Sequence, residues 1–425
     1  MKLESFWQAT APTFTGAASG ELPAKADVVV VGGGFTGLSA AYNLALAGVD
    51  VVVLEAGDVL SQASGRNGGH CNTGVSQNFA SLVESLGLEQ ASIYYHAYTE
   101  AVDYVQSIVR DEAIDCDFIR TGKLKLASKA KHFPSLVKTY ELLKRTVDSN
   151  VELIDASHIR DEVGSDAFHG GLLQKGGGQM HMGKFGIGLA QAAAEKGAAI
   201  YPQTPVTGLQ QIDGHRYRVS TSRGDIDAGR VLLATGTSDK GPFSWFQRRI
   251  VPVGSFIIAT EPLAPAKLQA ALINNRTYVT SLNIGNYFRT TADNRLIFGG
   301  RARFAISNPT SDARSGGVLR TGLGELFPSL ANANIDYCWG GLVDMTADRL
   351  PRAGEHEGLF YSMGYSGHGT QMSVYMGKVM AALVTGKPVS NPWQRSNWAA
   401  MPGYFGKPWF LPVAGLYYKA KDKVS

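Results

Sequence analysis

Asp27-Val-Val-Val-Val-Gly-Gly-Gly-Phe-Thr-Gly-Leu-Ser-Ala-Ala opens a stretch that ends in Val51-Val-Val-Leu-Glu, and its reading decides the fold. Val28 to Val31 has no polar break, the pattern of a strand buried on both faces. Gly32, Gly34 and Gly37 follow at GxGxxG spacing. Leu38 to Ala47 predicts a helix ended by Gly48, and Val51 to Leu54 a second buried strand closing on Glu55. Gly32 allows a tight turn, Gly34 lets a pyrophosphate reach the backbone, and Gly37 lets helix and strand pack closely. The free N–H groups of that helix N-terminus then face the pyrophosphate. Glu55 sits where an acid accepts hydrogen bonds from the ribose of an adenosine. An acid there disfavours a 2′-phosphate, which leaves NAD and FAD.

The stretch belongs to a chain of 425 residues, beyond the size at which one core keeps growing, so two domains are expected. Hydrophobic content of 44% and charged content of 18% are those of a soluble globular protein. The 50 glycines cluster at motifs, which makes them backbone-approach positions and not a disordered tract. A net charge of +4 without a Lys/Arg run argues against nucleic acid. Cys71, Cys116 and Cys338 are too scattered for a disulfide framework or a metal site. Met1 to Thr15 lacks a basic start followed by an apolar core, and no apolar stretch nears the roughly 18 residues of a membrane span. The expectation is a cytoplasmic protein.

Outward from the first motif, Ser61-Gln-Ala-Ser-Gly-Arg-Asn-Gly-Gly-His-Cys-Asn-Thr-Gly reads as a loop. Near a cofactor, Ser64 and Arg66 would touch phosphate, and Gly68 and Gly69 would leave room for a ring system. Trp7, in an irregular N-terminal stretch, reads as a packing anchor. Gln90 to Arg110 predicts an amphipathic helix, Lys123 to Ala127 a strand and Phe133 to Asp148 a helix. Glu152 onward predicts a strand and a capped helix, and Ala190 to Gly197 a small-residue helix. Val206 to Val219 predicts a hairpin around Asp213-Gly214. Val231-Leu-Leu-Ala-Thr-Gly is a strand whose glycine lies at the carboxyl edge of the sheet, where a ligand sits. Pro242 to Pro328 predicts alternating strands, Val251 to Thr260, Tyr278 to Leu282, Tyr287 to Thr291 and Leu296 to Arg303, with few helices. Leu359 to Met363 is a strand, Gly364-Tyr-Ser-Gly-His-Gly a turn, and Thr370 to Leu383 a helix with Met372, Met376, Val379 and Leu383 on one inward face. That turn again offers an anion-attracting helix start.

GxGxxG, Ser64-Gly-Arg-Asn-Gly-Gly, Ala234-Thr-Gly, Asp348-Arg-Leu-Pro-Arg-Ala-Gly and Gly364-Tyr-Ser-Gly-His-Gly occur in an order that resembles D-amino-acid-oxidase-type flavoproteins. Thr291-Ala-Asp-Asn-Arg-Leu and Ala414-Gly-Leu-Tyr-Tyr are most similar to the bacterial γ-glutamylputrescine oxidoreductase branch. The resemblance implies an α/β fold: a Rossmann-type FAD-binding domain interleaved with an α+β substrate domain on a mostly antiparallel sheet. Residues 1–88, 153–241 and 337–390 are assigned to the first, 89–152 and 242–336 to the second, and 391–425 to a tail packed on the body. It implies FAD contacts at Phe35, Thr36, Ala56, Asn67 and Val206, and at Thr235 and Gly236. At the other end it implies contacts from Gly364, Ser366, Gly367, Gly369 and Thr370, against the pyrimidine side of the ring.

The reaction implied is oxidation of a C–N bond in a small amine, γ-glutamylputrescine or a related polyamine derivative. A hydride passes from the α-carbon to flavin N5, and the imine hydrolyses. The alternative is an amino or imino acid oxidase or dehydrogenase, for L-pipecolate, sarcosine or glycine. Oxygen or another acceptor takes the electrons. His368 is the candidate to stabilise charge on the reduced ring, and Arg289 to hold a substrate carboxylate, with a structural ion pair as its other reading. In sarcosine oxidases a lysine promotes the reaction with oxygen. Ile297 falls near its place, with Lys123 and Lys184 elsewhere in the chain, so slow reoxidation by oxygen is expected. Cys338 falls near a cysteine that such enzymes link to flavin. The branch pattern lacks that cysteine, and the expectation is non-covalent FAD.

Overall fold

The computed structural model describes residues 1–238, 240–300, 306–394 and 398–424. The valine run is the centre of strand Lys25–Val31, which pairs in parallel with Val51–Leu54 and with Gly224–Leu233. Ala199–Tyr201 and Leu359–Met363 extend this sheet in parallel, and Arg352–His356 closes one edge antiparallel. Val28 and Val30 face a core shared with helix Phe35–Leu46, while Val29 and Val31 face Val219, Phe243, Phe246 and Trp398. Two covered faces are the reason every residue of the run is apolar.

Two glycines set the helix packing. A Cβ on Gly37 would lie 1.9 Å from the Gly32 carbonyl oxygen, so only glycine lets helix Phe35–Leu46 follow its strand this closely. One on Gly377 would lie 2.7 Å from the Thr36 carbonyl oxygen, where helix Gly369–Val384 crosses the first helix. Met372, Met376 and Val379 are buried in that core as expected, and Leu383 is partly buried against it.

The second sheet runs Ile335–Met345, Val251–Thr260, Leu296–Gly300, Asn286–Thr290, Thr277–Thr280, Lys123–Leu126, Gly171–Gln174, Val151–Ile154. All its neighbours are antiparallel except Thr277–Thr280 beside Lys123–Leu126. Sheet membership differs from the expected boundaries: Gly171–Gln174 and Ile335–Met345 lie in this sheet, although 153–241 and most of the last strand were assigned with the first. Of the strand expected to reach Arg303, residues 301–303 lie outside the described residues.

Three expectations are corrected. The region of few helices holds Pro309–Leu326, whose Gly316, Gly317, Gly322 and Gly324 mask its helical pattern. Packing compensates for their low propensity: a Cβ on Gly316 would lie 2.6 Å from Cys338 Sγ, and Asn308 caps the first turn through Ser311 N–H. The capped helix expected after Ile154 is a single turn, Ile159–Asp161. The small-residue helix begins at Met182, because His181 Nδ1 accepts the Lys184 N–H at 3.1 Å and caps it. In the tail, Trp393, Trp398 and Tyr404 are buried, whereas Val413, Leu416 and Tyr417 on helix Leu411–Val424 face outward. Among the described residues no helix is long and apolar enough to cross a membrane.

Candidate functional site

One cavity of ≈ 1290 Å³ is lined from both sheets. At one end lie the glycine turn, Glu55 and Ala56, with Val206, Thr235 and Gly236 beside them. Gly32 adopts φ +113°, and a Cβ there would meet the Ala234 carbonyl oxygen at 2.6 Å, so this glycine is required for the turn. Glu55 accepts the Gly33 N–H at 2.6 Å and the Gly57 N–H at 2.8 Å, bracing the turn from the second strand. Helix Phe35–Leu46 begins at Gly34, which carries no side chain to cap it, and its Phe35 N–H reaches Ser64 Oγ at 3.0 Å. At the other end helix Gly369–Val384 begins after His368, whose side chain makes no capping bond. Two positive helix ends therefore open into one cavity.

The loop after the second strand forms the wall between those ends. Asn67 donates to the Ser64 carbonyl oxygen at 2.9 Å and accepts the Gly69 N–H at 2.9 Å. It also accepts from Thr370 at 3.3 Å, which ties loop to helix. Trp7 Nε1 donates to the Asn67 carbonyl oxygen at 2.6 Å, and the indole is fully buried, so the anchor expected near the N-terminus holds this loop. Arg66 lines the cavity but directs Nε to the Gly340 carbonyl oxygen at 2.5 Å, joining the loop to the second sheet. A Cβ on Gly68 would lie 2.5 Å from the Tyr287 ring, so the wall is thin there.

Asp344 accepts the Gly364 N–H at 2.6 Å, and burial pushes its carboxyl up to about 6. Ser366 holds φ +53° in the same turn, fixed by its hydroxyl near Thr346 N–H and Oγ1, each at 3.2 Å. Burial, then the charge of Arg289, keeps His70 well below its ordinary value, so it is neutral. Burial, then Lys125, pushes Lys123 down to about 7.

A family model described as FAD dependent oxidoreductase matches residues 27–383. The chain is a member of that family. It is 34% identical to the γ-glutamylputrescine oxidoreductase of Escherichia coli, over 94% of this chain and 93% of that one. It is 32% identical to the probable oxidoreductase OrdL of Haemophilus influenzae, over 85% and 83%. The crystal structure of glycine oxidase from Geobacillus kaustophilus superposes with a TM-score of 0.72 at 22% identity, covering 89% of this chain and 99% of that one. The chain is thus an FAD-dependent amine or amino acid oxidoreductase with the Rossmann-type FAD-binding and substrate-domain architecture.

The residues present fit FAD. The cavity is long enough to join the two helix ends, and an added Cβ on Gly236, at φ +56°, would meet nothing within 4 Å. Gly34 and Gly367 likewise lack backbone within 4 Å of an added Cβ, meeting only Ser64 and Val343 side chains. Among this FAD-dependent family member's expected contacts, Gly32, Gly34, Phe35, Thr36, Glu55, Ala56, Ser64, Arg66, Asn67 and Gly68 line the cavity. So do Val206, Thr235, Gly236, Ser366, Gly367, His368, Gly369 and Thr370.

Four expected site residues lie behind the wall. Gly37 is the helix–strand contact described above. Gly364, at φ +82°, gives its N–H to Asp344. Gly69, at φ +77°, approaches Arg289 so closely that a Cβ would lie 2.3 Å from its guanidinium. Arg289 is the main correction. Its guanidinium donates to the Gly68, Met180 and Thr290 carbonyl oxygens at 3.1, 2.7 and 3.0 Å and stacks on Trp7. It is buried and does not line the cavity, so a substrate carboxylate is out of its reach. Among the described residues it has no ion-pair partner: it binds carbonyls, because the loop it supports turns its oxygens inward.

Ile297 is fully buried and off the cavity wall, and Lys123, from another strand, lines the cavity together with Lys125. Lys184 pairs with Asp117 at 3.1 Å. His70 and Tyr287, 5.4 Å apart between ring centres, were missed as lining residues. The signal for His70 was its place directly after Gly68-Gly69.

Proposed function

We propose that this enzyme oxidises the C–N bond of γ-glutamylputrescine or a related polyamine derivative to an imine that water hydrolyses. The observation that carries the reading is the cavity with a helix N-terminus at each end and with Lys123 and Lys125 forming a basic wall in its lining. The name of the E. coli relative supports the substrate. In this reading Gly34, Phe35, Thr36 and Ser64 hold the diphosphate, Glu55 the ribose, and the Gly364–Thr370 turn the ring. Bound FAD supplies a two-electron acceptor for the hydride. The first N–H groups of Gly369–Val384 and His368 stabilise negative charge that develops at that end. The reacting amine is unprotonated, the form able to lose hydride.

FAD is held without a covalent bond in this reading. Cys338 is buried in the second core, its Sγ donating to the Asp312 carbonyl oxygen at 3.3 Å, on the face of its strand away from the cavity. Either oxygen or another acceptor completes turnover. The second reading, an amino or imino acid substrate, is favoured by the same basic wall, which suits a carboxylate. Incubation with γ-glutamylputrescine tests the first: an aldehyde and released ammonia are expected, whereas turnover of L-pipecolate, sarcosine or glycine alone would establish the second.

A further inference from the structure

We propose that Lys123, Lys125 and Arg349 form an anion subsite that binds a carboxylate carried by the substrate away from its reacting C–N bond. The strand Lys123–Leu126 reads Lys-Leu-Lys-Leu. Leu124 and Leu126 fill the second core, so the period of two turns both lysines to the opposite face, which is the cavity. This strand is interior to the sheet, with Thr277–Thr280 on one side and Gly171–Gln174 on the other, so neither lysine escapes at an edge. Lys123 is 9% exposed, and its ammonium donates to the Thr73 carbonyl oxygen at 2.9 Å. Among the described residues neither Lys123, Lys125 nor Arg349 is in an ion pair. Lys123 is buried and Lys125 partly buried, which is costly for a cation unless a ligand brings a carboxylate, whereas Arg349 is exposed at the mouth of the cavity.

Arg349 reaches the same cavity from the Thr346–Pro351 turn. It holds φ +58°, a conformation an L side chain rarely adopts, fixed by Ser76 Oγ donating to its carbonyl oxygen at 2.8 Å. The three cations feel one another: burial and then Arg349 lower Lys125, and burial and then Lys125 lower Lys123. The described lining residues include two carboxylates, Glu55 and Asp344, and backbone N–H groups already hold both. Leu136, Leu143 and Leu172 line the cavity as well, an apolar surface for a methylene chain. The ligand class is therefore a short aliphatic chain ending in a carboxylate. Calling its bearer the substrate rests on the proposed function.

Glutarate and its neutral diamide are suitable probes, titrated calorimetrically into the holoenzyme and followed by the flavin spectrum. Glutarate is expected to bind and the diamide not. Lys125→Gln and Arg349→Gln should each weaken glutarate tenfold or more, while Lys125→Arg should stay within threefold of the parent. No glutarate binding, equal binding of the diamide, or unchanged affinity in both Gln variants overturns the subsite. If a variant loses flavin, the comparison of the two probes on the parent enzyme decides. Expected titrations with no amine oxidised would leave the subsite standing and remove the proposed function.

Discussion

The hydroxyl of Thr36 lies 2.8 Å from that of Tyr365, joining two helix starts that are 329 residues apart in sequence. Thr36 is in the first turn of helix Phe35–Leu46, and Tyr365 is in the turn that leads into helix Gly369–Val384. Tyr365 also meets Ser362 Oγ at 2.8 Å. This buried hydroxyl network ties together the two helix starts at the ends of the cavity.

Tyr365→Phe removes both bonds while keeping the ring. A loss of about 1–2 kcal/mol in FAD affinity is expected, roughly five- to thirtyfold. Equilibrium dialysis of the deflavinated protein measures it. An unchanged dissociation constant would show that the link between the helix starts does not contribute to FAD binding.

Gly34→Val is expected to give a folded, colourless protein. Gly34 has φ −89°, which a branched residue tolerates, and an added Cβ would meet Ser64 Oγ at 3.0 Å. The side chain would then stand where the diphosphate belongs. Circular dichroism should match the parent while flavin content falls to near zero; full flavin content would contradict the motif assignment.

Arg289→Met leaves three inward carbonyl oxygens without their donor, at about 1–3 kcal/mol each. Lower melting temperature and lower flavin content are expected. Arg289→Lys should not rescue, since one ammonium cannot span the three acceptors that the guanidinium fork reaches. If instead both variants kept stability and flavin and only raised KM, the residue would be a substrate contact after all.

Lys123 makes stability depend on pH. Its folded value is about 7, against about 10.4 in an unfolded chain. Below pH 7 both states hold the proton and the folded state bears the full desolvation penalty. Between the two values the unfolded chain binds more protons, so raising the pH stabilises the fold through this residue. Lys123→Met is therefore expected to raise the melting temperature more at pH 6 than at pH 10. An equal effect at both would mean that Lys123 is not held in a dry, positive surrounding.

The first motif was legible because each of its parts is local: a β-branched run, glycines at fixed spacing, a helix and a closing acid. The Gly364 turn and the helix after it were legible for the same reason. Lys123 and Arg289 were not. Lys-Leu-Lys-Leu reads as a strand, and the alternation is right, but the face of the lysines looks into an internal cavity made by distant residues. Tyr287 and Arg289 share a face of one strand, yet Tyr287 reaches the cavity while Arg289 is covered by Gly68 and Gly69. Strand period gives the face and not what packs on it. Helix Pro309–Leu326 was hidden because four glycines break its pattern, and the close packing that Gly316 serves against Cys338 is not displayed by the sequence alone.

The central claim, that this chain is a flavoenzyme that removes hydride from an amine, is tested most directly by anaerobic titration of the purified protein. The spectrum should show bound flavin, and an amine bearing a carboxylate should bleach it fully at one equivalent. Flavin that dithionite reduces, but that no amine or amino acid bleaches, would contradict the account.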